Sequence, residues 1–408
     1  MTSPRLLVDL SAVAHNVRHL LAGSSARDLV AVVKADGFGH GAEQVARAAV
    51  DAGAGMLGTT SLEEAAPLQH LGVPVLSWLN PVGADYADPR TRRVQLAVPS
   101  VEHLDAVTAA AERARRRRQV HLFVDAGMSR DGCDPAEWLT LCVRARAAER
   151  AGHLEVVGVM GHLGVAEPEH PLHRAAVERY ARAVRVARGT GLRPRMRHLA
   201  ATAAALRAPG AHHDTLRVGA GLVGIDPVAP DGTREGAQKS ALRAAATLTA
   251  PFVQVRRVGA GRPVGYGQGH LTERATWLGL LPVGYADGVP RRASGVAEVL
   301  VRGRRRPLVG WVSMDQVVVD LGDDPVQVGE EAVVFGPGDR GEPTLADWAR
   351  WGDTIEHEVL TGIGGRVRRV HVAGVHVAGA QAAGVAGAGV EGAGVAGARV
   401  ARRGGRAA

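Results

Sequence analysis

Short apolar runs alternate with amphipathic stretches through the first 230 residues of the chain. The runs are rich in β-branched residues and lie at 29–34, 55–60, 73–79, 94–98, 120–125 and 156–162. Between them, segments such as 61–71 and 170–188 space their apolar residues as helices do. Continuous apolar strands separated by helices are typical of a parallel sheet covered by helices. The pattern therefore predicts an α/β protein with an N-terminal (β/α)8 barrel of the TIM type rather than an open sheet.

The pattern changes after about residue 240. Apolar runs now follow one another through Gly and Pro turns, with little helical spacing before 344–351, and lie at 252–258, 264–268, 275–285, 297–303, 307–321 and 330–338. This pattern predicts a smaller, mostly-β C-terminal domain. From 374 onward Gly, Ala and Val repeat without periodicity or aromatic residues, which predicts a disordered tail. The expected division is a barrel at 1–240, a β-domain at 241–373 and a low-complexity tail at 374–408.

Composition narrows the class of protein. No apolar stretch reaches the roughly 18 residues that a membrane helix needs, and the first residues lack the layout of a secretory signal. Only two cysteines occur, Cys133 and Cys142, so neither a disulfide framework nor a zinc site is indicated. We therefore expect a cytoplasmic protein without a metal site or a membrane partner.

The formal charge of +8 raises the question of a nucleic-acid partner. Much of the positive charge lies on one predicted helix, at Arg113 and 115–118, and in the tail. The helix has no interleaved aromatic residues that could stack on bases, and no nucleic-acid-binding motif is present. A solvated helix face is the favoured interpretation, and no nucleic-acid partner is expected.

Lysine is almost absent, since Lys34 and Lys239 are the only two. Unlike arginine, a partly buried lysine can lose its proton and attack an aldehyde carbon. Lys34 ends an apolar run and precedes a Gly-rich turn, which puts it at the carboxyl end of a barrel strand, where barrel enzymes carry their active sites. Two interpretations stay open at this point: a reactive amine, or a strand-end lysine whose ammonium group reaches water.

Gly219, Gly221 and Gly224 spell G-x-G-x-x-G, the dinucleotide-binding fingerprint. That fingerprint requires a strand, a tight turn and a long helix near the start of a βαβ unit. Here it falls late in the barrel, and Pro227 and Pro230 disfavour a long helix after it. Glycines that let the backbone approach a single phosphate explain the spacing better than NAD binding does.

The segment VVKADGFGHG at 32–41 resembles the pyridoxal-phosphate (PLP) lysine motif of the alanine racemase family. Further segments resemble that family in the same order, at 8–20, 125–132, 158–167, 197–206, 216–227, 264–269, 281–291, 309–316 and 354–369. The resemblance implies a PLP-dependent isomerase of fold type III that interconverts L- and D-alanine for cell-wall synthesis. It also implies that the barrel binds PLP and that Lys34 carries it.

Racemisation needs two acid–base groups on opposite faces of the reacting carbon. The resemblance assigns these roles to Lys34 and Tyr285. A phenol with a pKa near 10 is a weak base at neutral pH, and His162 matches the family residue beside it. Arg217 matches the arginine that faces the pyridine nitrogen, and His198 the residue that supports this arginine.

Other positions match residues that bind the cofactor phosphate or the substrate. The phosphate positions are Thr202, Gly219, Ala220 and His357, and the substrate carboxylate positions are Arg130 and Met314. In the family, the tyrosine and the methionine reach the cofactor of the other subunit. The resemblance therefore implies a head-to-tail homodimer with two shared active sites.

Four residues depart from the family pattern. Phe38, Val223 and His357 stand where the family usually has tyrosine, and Phe123 where it often has a carbamylated lysine that braces the carboxylate-binding arginine. Loss of one neutral hydrogen bond costs about 0.5–1.5 kcal/mol, so PLP binding should weaken without failing.

These departures keep other functions open. A racemase of broader or different specificity that serves a specialised pathway is the main alternative to an alanine racemase. A non-enzymatic PLP-binding protein is disfavoured because such single-domain relatives lack the β-domain and its tyrosine. The β-domain motifs also disfavour a fold-type III decarboxylase. A basic regulatory protein is the remaining interpretation.

Overall fold

The computed structural model describes residues 3–227 and 241–373. Strand β1 (Arg5–Asp9) leads into helix α1 (Leu10–Ala22), and eight strands then alternate with helices or short turns. The strands are β2 (Asp28–Val32), β3 (Met56–Thr59), β4 (Val75–Ser77), β5 (Val94–Val98), β6 (Arg118–Phe123), β7 (Leu154–Met160), β8 (Met196–His198) and β9 (Thr215–Val218). The helices are α2 (Ala42–Asp51), α3 (Leu62–Ala65), α4 (Val101–Arg113), α5 (Trp138–Arg150), α6 (Pro171–Gly189) and α7 (Thr202–Arg207).

Strands β2 to β9 form one parallel sheet in the order β8-β7-β6-β5-β4-β3-β2-β9. Its two ends meet through backbone bonds, because Arg217 N donates to the Ala200 carbonyl at 2.9 Å and Asp214 N to the Arg197 carbonyl at 3.1 Å. Several of these strands are buried along their whole length, as the continuous apolar runs predict for strands covered on both faces. The predicted (β/α)8 barrel is confirmed.

The rest of the chain builds a nine-stranded, mostly antiparallel sheet in the order β11-β12-β15-β14-β13-β16-β10-β1-β17. Its strands are β10 (Ala246–Pro251), β11 (Gln254–Val258), β12 (Thr276–Leu281), β13 (Glu298–Val301), β14 (Arg304–Val309), β15 (Val317–Gly322), β16 (Glu331–Phe335) and β17 (Arg368–Val372). Two helices, α8 (Leu345–Gly352) and α9 (Glu356–Thr361), precede the last strand. The mostly-β C-terminal part is also confirmed.

The N-terminal strand lies in the second sheet and not in the barrel. In β1, Arg5 pairs antiparallel with Thr249 of β10 and parallel with Arg368 of β17. The predicted barrel boundary placed residues 1–240 together, whereas the barrel strands begin at Asp28. The predicted break at 240 and the predicted tail at 374–408 lie outside the described residues.

Two predicted strands are wrong. The run at 307–321 is not a single strand, because β14 ends at Val309 and β15 begins at Val317. The segment 264–268 forms a short 3-10 turn, Tyr266–Gln268, instead of a strand. Gly265 and Gly267 adopt φ values of 74° and 64°, which extended backbone excludes. By contrast, the helix predicted at 344–351 is present as α8, where Thr344 and Asp347 form a reciprocal capping box.

None of the helices in the described ranges combines the length and apolar character needed to cross a membrane.

Candidate active site

The barrel residues singled out in the sequence gather at one face of the barrel. Lys34 follows β2, His162 follows β7, and His198 ends β8. Arg217 lies in β9, and Arg130 lies in the loop after β6. Because carboxyl ends of parallel strands point to the same face, these five side chains share one end of the barrel.

Lys34 opens a turn of left-handed backbone. Ala35, Asp36, Gly37 and Phe38 have φ between 51° and 62° and ψ between 40° and 51°. Left-handed backbone costs about 1–2 kcal/mol at each residue other than glycine, so this turn is strained and must be held by its surroundings.

Three groups hold the turn. The Glu64 carboxylate accepts from Ala35 N at 2.8 Å, and the Asp36 carboxylate accepts from Ala42 N at 2.8 Å. The buried His40 ring bonds the Phe38 carbonyl at 2.9 Å. Burial lowers the pKa of His40 to about 4, so its ring is neutral at physiological pH. The Lys34 backbone is therefore fixed by contacts from α3 and α2.

The Lys34 amine is tuned toward its neutral form. Burial and the positive charge of Arg130 lower its pKa, whereas Glu64 acts in the opposite direction. Burial would raise the pKa of Glu64, but hydrogen bonds from Thr60, Ala35 and Ser61 outweigh it and lower the pKa. The carboxylate thus stays ionised beside an amine that loses its proton more readily than a free lysine does.

Arg217 is a buried cation without an acidic partner in the described ranges. Its guanidinium donates to the Gly161 carbonyl at 2.7 Å and the His198 carbonyl at 2.8 Å. It also contacts Nδ1 of His198 at 3.3 Å and Nδ1 of His162 at 3.1 Å. Burial lowers the pKa of Arg217 to about 10, which leaves it protonated at neutral pH.

Both histidines beside this arginine are neutral. Burial, followed by the charges of Arg217, Arg130 and Lys34, lowers the pKa of His162 to about 3. Burial and its charged surroundings lower the pKa of His198 well below its ordinary value. Each ring can therefore accept a hydrogen bond from the guanidinium without repelling it.

The predicted phosphate positions also meet. Thr202 begins α7, and its hydroxyl accepts from Gly221 N at 3.2 Å. Gly219 and Ala220 stand at the end of β9, where a short 3-10 turn, Ala220–Val223, replaces the long helix of a dinucleotide fold. A lowered-pKa amine, a donor-only guanidinium and this hydroxyl-lined Gly turn fit a cofactor that carries an aldehyde, a ring nitrogen and a phosphate.

Tyr285 and Met314 form a separate group in the C-terminal part. Backbone bonds join their loops, and Arg366 bridges Asp287 and Asp315 at 3.0 Å and 2.6 Å. The exposed fractions of Tyr285 and Met314 are 42% and 54%. Within the part of the chain that the structure describes, no hydrogen bond or ring contact joins Tyr285 to Lys34 or His162.

Two protein-family models together match most of the chain. The alanine racemase N-terminal domain matches residues 8–227, and the alanine racemase C-terminal domain matches residues 245–371. The chain belongs to the alanine racemase family.

Relatives and solved structures of the alanine racemase family agree over nearly the whole chain. An alanine racemase from Thermobifida fusca is 43% identical over 367 residues, covering 89% of this chain and 96% of the relative. The crystal structure of alanine racemase from a D-cycloserine-producing Streptomyces lavendulae has a TM-score of 0.86 at 40% identity, covering 92% and 98%. The alanine racemase from Bartonella henselae, solved with covalently bound pyridoxal phosphate, has a TM-score of 0.80 at 25% identity, covering 91% and 100%.

The departures from the alanine racemase motif cluster near Lys34. The rings of Phe38 and His357 lie 6.0 Å apart, and a Cβ added to Gly219 would lie 2.7 Å from the Cζ atom of Phe38. Burial and the charge of Lys34 lower the pKa of His357. Phe38 thus occupies the surface of the predicted phosphate turn without offering a hydrogen bond, whereas His357 keeps a polar ring nearby. Val223 is buried in the same turn.

The loop predicted to bind the substrate carboxylate follows the fourth departure, Phe123. The Asp125 carboxylate organises this loop by accepting from the backbone N–H groups of Gly127, Met128 and Ser129. Arg130 is exposed at its tip, and no acceptor for its guanidinium is found in residues 3–227 and 241–373. Phe123 is buried at the end of β6 and can offer no polar brace. This arrangement leaves the arginine charge available to a carboxylate ligand.

Sequence reasoning missed two residues of this face, Glu64 and His40. The segment S-L-E-E at 61–64 carries a capping-box signal, and the hydroxyl of Ser61 does accept from Glu64 N at 3.2 Å. That signal predicts a helix start but not the contact with Ala35. His40 lies within the motif at 32–41, but its bond to the Phe38 carbonyl depends on left-handed backbone that a single sequence does not reveal.

Proposed function

We propose that the chain is a PLP-dependent racemase that interconverts L- and D-alanine. The observation that carries this proposal is the placement of the Lys34 amine, with its lowered pKa, on the same barrel face as the Arg217 guanidinium and its two neutral histidines. The covalently bound pyridoxal phosphate of the Bartonella relative supports Lys34 as the point of attachment.

Each residue has a distinct task. Bound PLP supplies an electron sink for the carbanion that forms when the α-proton leaves. Lys34 holds PLP and exchanges a proton on one face of the substrate, and the Tyr285 hydroxyl does so on the other. Arg217 can only donate hydrogen bonds, so it would leave the pyridine nitrogen of bound PLP unprotonated and would thereby suppress side reactions. His198 supports Arg217, and His162 bonds it.

Binding positions complete the site. Thr202, Gly219, Ala220 and His357 would contact the phosphate through a hydroxyl, backbone N–H groups and a ring nitrogen. Arg130 would bind the substrate carboxylate in a bidentate manner, with Met314 N–H assisting.

We propose a head-to-tail homodimer as the active form. Tyr285 and Met314 are exposed and, among the described residues, make no contact with Lys34. A partner subunit that covers this surface would bring its own tyrosine to the barrel face. A monomer would then hold only half of each site.

The test is incubation of the PLP-loaded protein with L-alanine in deuterium oxide. We expect α-deuterium incorporation together with loss of optical rotation, and neither for Lys34→Ala. Exchange with retained handedness would show that only one face has a working acid–base group. PLP binding without any exchange would favour a non-enzymatic PLP-binding protein.

A racemase of broader or different substrate range is the second candidate. It is favoured by the exposed Arg130, for which the described residues supply no acceptor, and by the buried Phe123 at a position where the family pattern has a polar brace. Assays on a panel of L-amino acids separate the two candidates. Alanine as the fastest substrate by a wide margin would rule out this second candidate. The place of the reaction in primary or specialised metabolism, and the cytoplasmic location, stay predictions from the sequence.

A further inference from the structure

A chain of buried polar side chains crosses the interior of the barrel. His198 Nε2 lies 2.9 Å from His121 Nδ1, and His121 Nε2 lies 2.7 Å from Gln95 Oε1. Gln95 Nε2 donates to Gln119 Oε1 at 2.9 Å, and Gln119 Nε2 donates to Glu155 Oε2 at 3.0 Å. The chain runs from the carboxyl face, where His198 meets the guanidinium, to the opposite face.

Polar side chains such as these are unusual in the interior of a (β/α)8 barrel. Layers of branched apolar side chains fill most (β/α)8 barrels. Here Gln95, His121 and His198 are 6%, 0% and 0% exposed, yet each is polar. A buried polar group costs free energy unless it is bonded, so a fully bonded series of this kind specifies one arrangement.

The two ends of the chain determine the direction of every bond. A guanidinium only donates, so His198 Nδ1 must accept from Arg217 and His198 Nε2 must carry the proton. His121 then accepts at Nδ1 and donates from Nε2 to Gln95. At the far end a carboxylate only accepts, which fixes the amide of Gln119 and, through it, that of Gln95.

This sequence of donors and acceptors requires the rings of His121 and His198 to be neutral. Burial and the charge of Arg217 lower the pKa of His121 to about 3, and the pKa of His198 is also lowered by burial. A charged ring would have no acceptor nitrogen left and would break the series. The bonds of the series all run in the same sense, so that the acceptor end of the series faces the Arg217 guanidinium. Among the described residues that guanidinium has no acidic partner.

The far end opens at the amino-terminal face of the barrel. Glu155 pairs there with Arg195 at 3.0 Å. A cavity of about 400 Å³ lies at this end, lined among others by Gln69, Arg92, Arg93, Arg117, Gln119 and Glu155. The anchoring carboxylate is therefore placed beside solvent, while the residues between it and Arg217 are largely buried.

We infer that Gln95, His121, Gln119 and Glu155 are positioning residues that hold His198 as an acceptor toward Arg217 from the opposite end of the barrel. The Glu155 carboxylate, which only accepts, fixes the orientation of the Gln119 amide, and Gln119 fixes that of Gln95. The oxygen of Gln95 then accepts from His121, so that His198 presents its Nδ1 atom as an acceptor. The consequence for cofactor chemistry rests on the proposed function, because it assumes that Arg217 faces the pyridine nitrogen of PLP. The proton positions themselves do not depend on it.

The first experiment uses the full chain without cofactor. Nitrogen-15 NMR of histidine-labelled protein, with signals assigned by single His→Gln variants, reports which ring nitrogen carries the proton. We expect His121 and His198 to be neutral and protonated at Nε2 from pH 5 to pH 8. Protonation at Nδ1 in either ring, or a charged ring in this range, would overturn the inference.

The second experiment interrupts the series at two places. Gln95→Leu removes the acceptor of His121, and Gln119→Leu separates Gln95 from Glu155. In both variants Arg217 alone still opposes the reversed proton order, so we expect Nδ1-protonated signals to appear for part of the His121 and His198 rings beside the remaining Nε2-protonated ones. Gln69→Leu is the matched control, because Gln69 lines the same cavity but lies outside the series, and it should leave these signals unchanged.

A kinetic readout extends the test to the loaded enzyme. We expect the ratio of transamination events to racemisation turnovers to rise about tenfold in Gln95→Leu, because rings with the reversed proton order no longer accept the bond from the charged Arg217 guanidinium to His198. Gln119→Leu should raise it less, and KM for alanine should stay within about twofold in both. Unchanged NMR signals and an unchanged ratio in folded variants would refute the positioning role. Nε2-protonated rings in a protein without racemase activity would refute only the proposed function.

Discussion

The two groups of site residues differ in how completely the chain surrounds them. At the barrel face, Lys34 and Arg217 have lowered pKa values, and neutral histidines, backbone carbonyls and a fixed left-handed turn enclose them. In the C-terminal part, Tyr285 and Met314 lie exposed on loops that backbone bonds join and that Arg366 bridges. The barrel face is organised within one chain, whereas the tyrosine loop presents its groups outward.

This contrast indicates which step of the proposed reaction depends on a second subunit. A buried group has its pKa and orientation determined by its neighbours in the same chain, as the two cations of the barrel face show. An exposed phenol has no such environment until another surface covers it. We therefore expect cofactor attachment to depend on the barrel alone and proton transfer on both faces to depend on the dimer.

The largest expected effect comes from removing either acid–base group. Lys34→Ala should abolish measurable racemisation and cofactor attachment, and Tyr285→Phe should lower kcat by about 10²–10⁴-fold because one proton-transfer group is lost. Tyr285→Phe should still bind PLP, since the barrel face is intact. Activity assays and borohydride reduction, which fixes the cofactor to its lysine, measure the two effects.

Mixing these two inactive variants tests whether sites are shared between subunits. In a random mixture about half of the dimers contain one chain of each kind, and each of these has one complete site. Denaturing and refolding the variants together should therefore restore about a quarter of the wild-type activity. A control that refolds each variant alone should restore none. Absence of recovery in the mixture, with dimers present, would contradict the shared site.

A stability change of intermediate size should follow from Asn16→Ala. Asn16 of α1 is fully buried and makes three bonds, to the Leu222 carbonyl, the Arg243 carbonyl and Arg243 N. These bonds attach the end of the predicted phosphate turn, and the segment around Arg243, to helix α1. Their loss should lower the free energy of unfolding by about 2–4 kcal/mol, measured by urea denaturation. Arg18→Ala, at an exposed position on the same helix, is the control, and an equal loss there would contradict this assignment.

Local patterns predicted most of the barrel because its strands are continuous apolar runs. The run at 94–98 coincides with β5, and that at 156–162 overlaps β7. The pattern failed for β1, which pairs with strands more than 230 residues away. Pairing over such a separation leaves no local signal.

The candidate site was predicted through the family motif and not through local pattern alone. Lys34 and the G-x-G-x-x-G turn carried signals of their own, but Tyr285 did not. Gln95 and His121 passed as members of apolar strands, and Gln119 lies just before the predicted run at 120–125, although Gln119 and His121 stand two positions apart and so share a face of β6. Polar residues at that spacing in a buried strand are the signal that could have revealed the barrel-crossing chain.

A smaller gain is expected from Phe38→Tyr. The Phe38 Cζ atom, to which tyrosine adds its hydroxyl, lies against Gly219 in the predicted phosphate turn. One recovered hydrogen bond of about 0.5–1.5 kcal/mol should tighten PLP binding by roughly 2–13-fold, measured by spectroscopic titration. Phe38→Leu, which adds no donor, should bring no gain. Equal or weaker binding by Phe38→Tyr would show that this departure does not limit cofactor retention.

The smallest effects concern the two charges beside Lys34, and their signs are opposite. Arg130 lowers the pKa of the amine, so Arg130→Gln should raise it, whereas Glu64 acts to raise it, so Glu64→Gln should lower it. Only the neutral amine attacks the aldehyde carbon, and PLP attachment therefore speeds up as pH rises through the pKa. The pH profile of the attachment rate should move to higher pH in Arg130→Gln and to lower pH in Glu64→Gln. Glu63→Gln, the exposed neighbour on α3, should leave it in place, and a shift of both main variants in one direction would contradict the charge arrangement described for the barrel face.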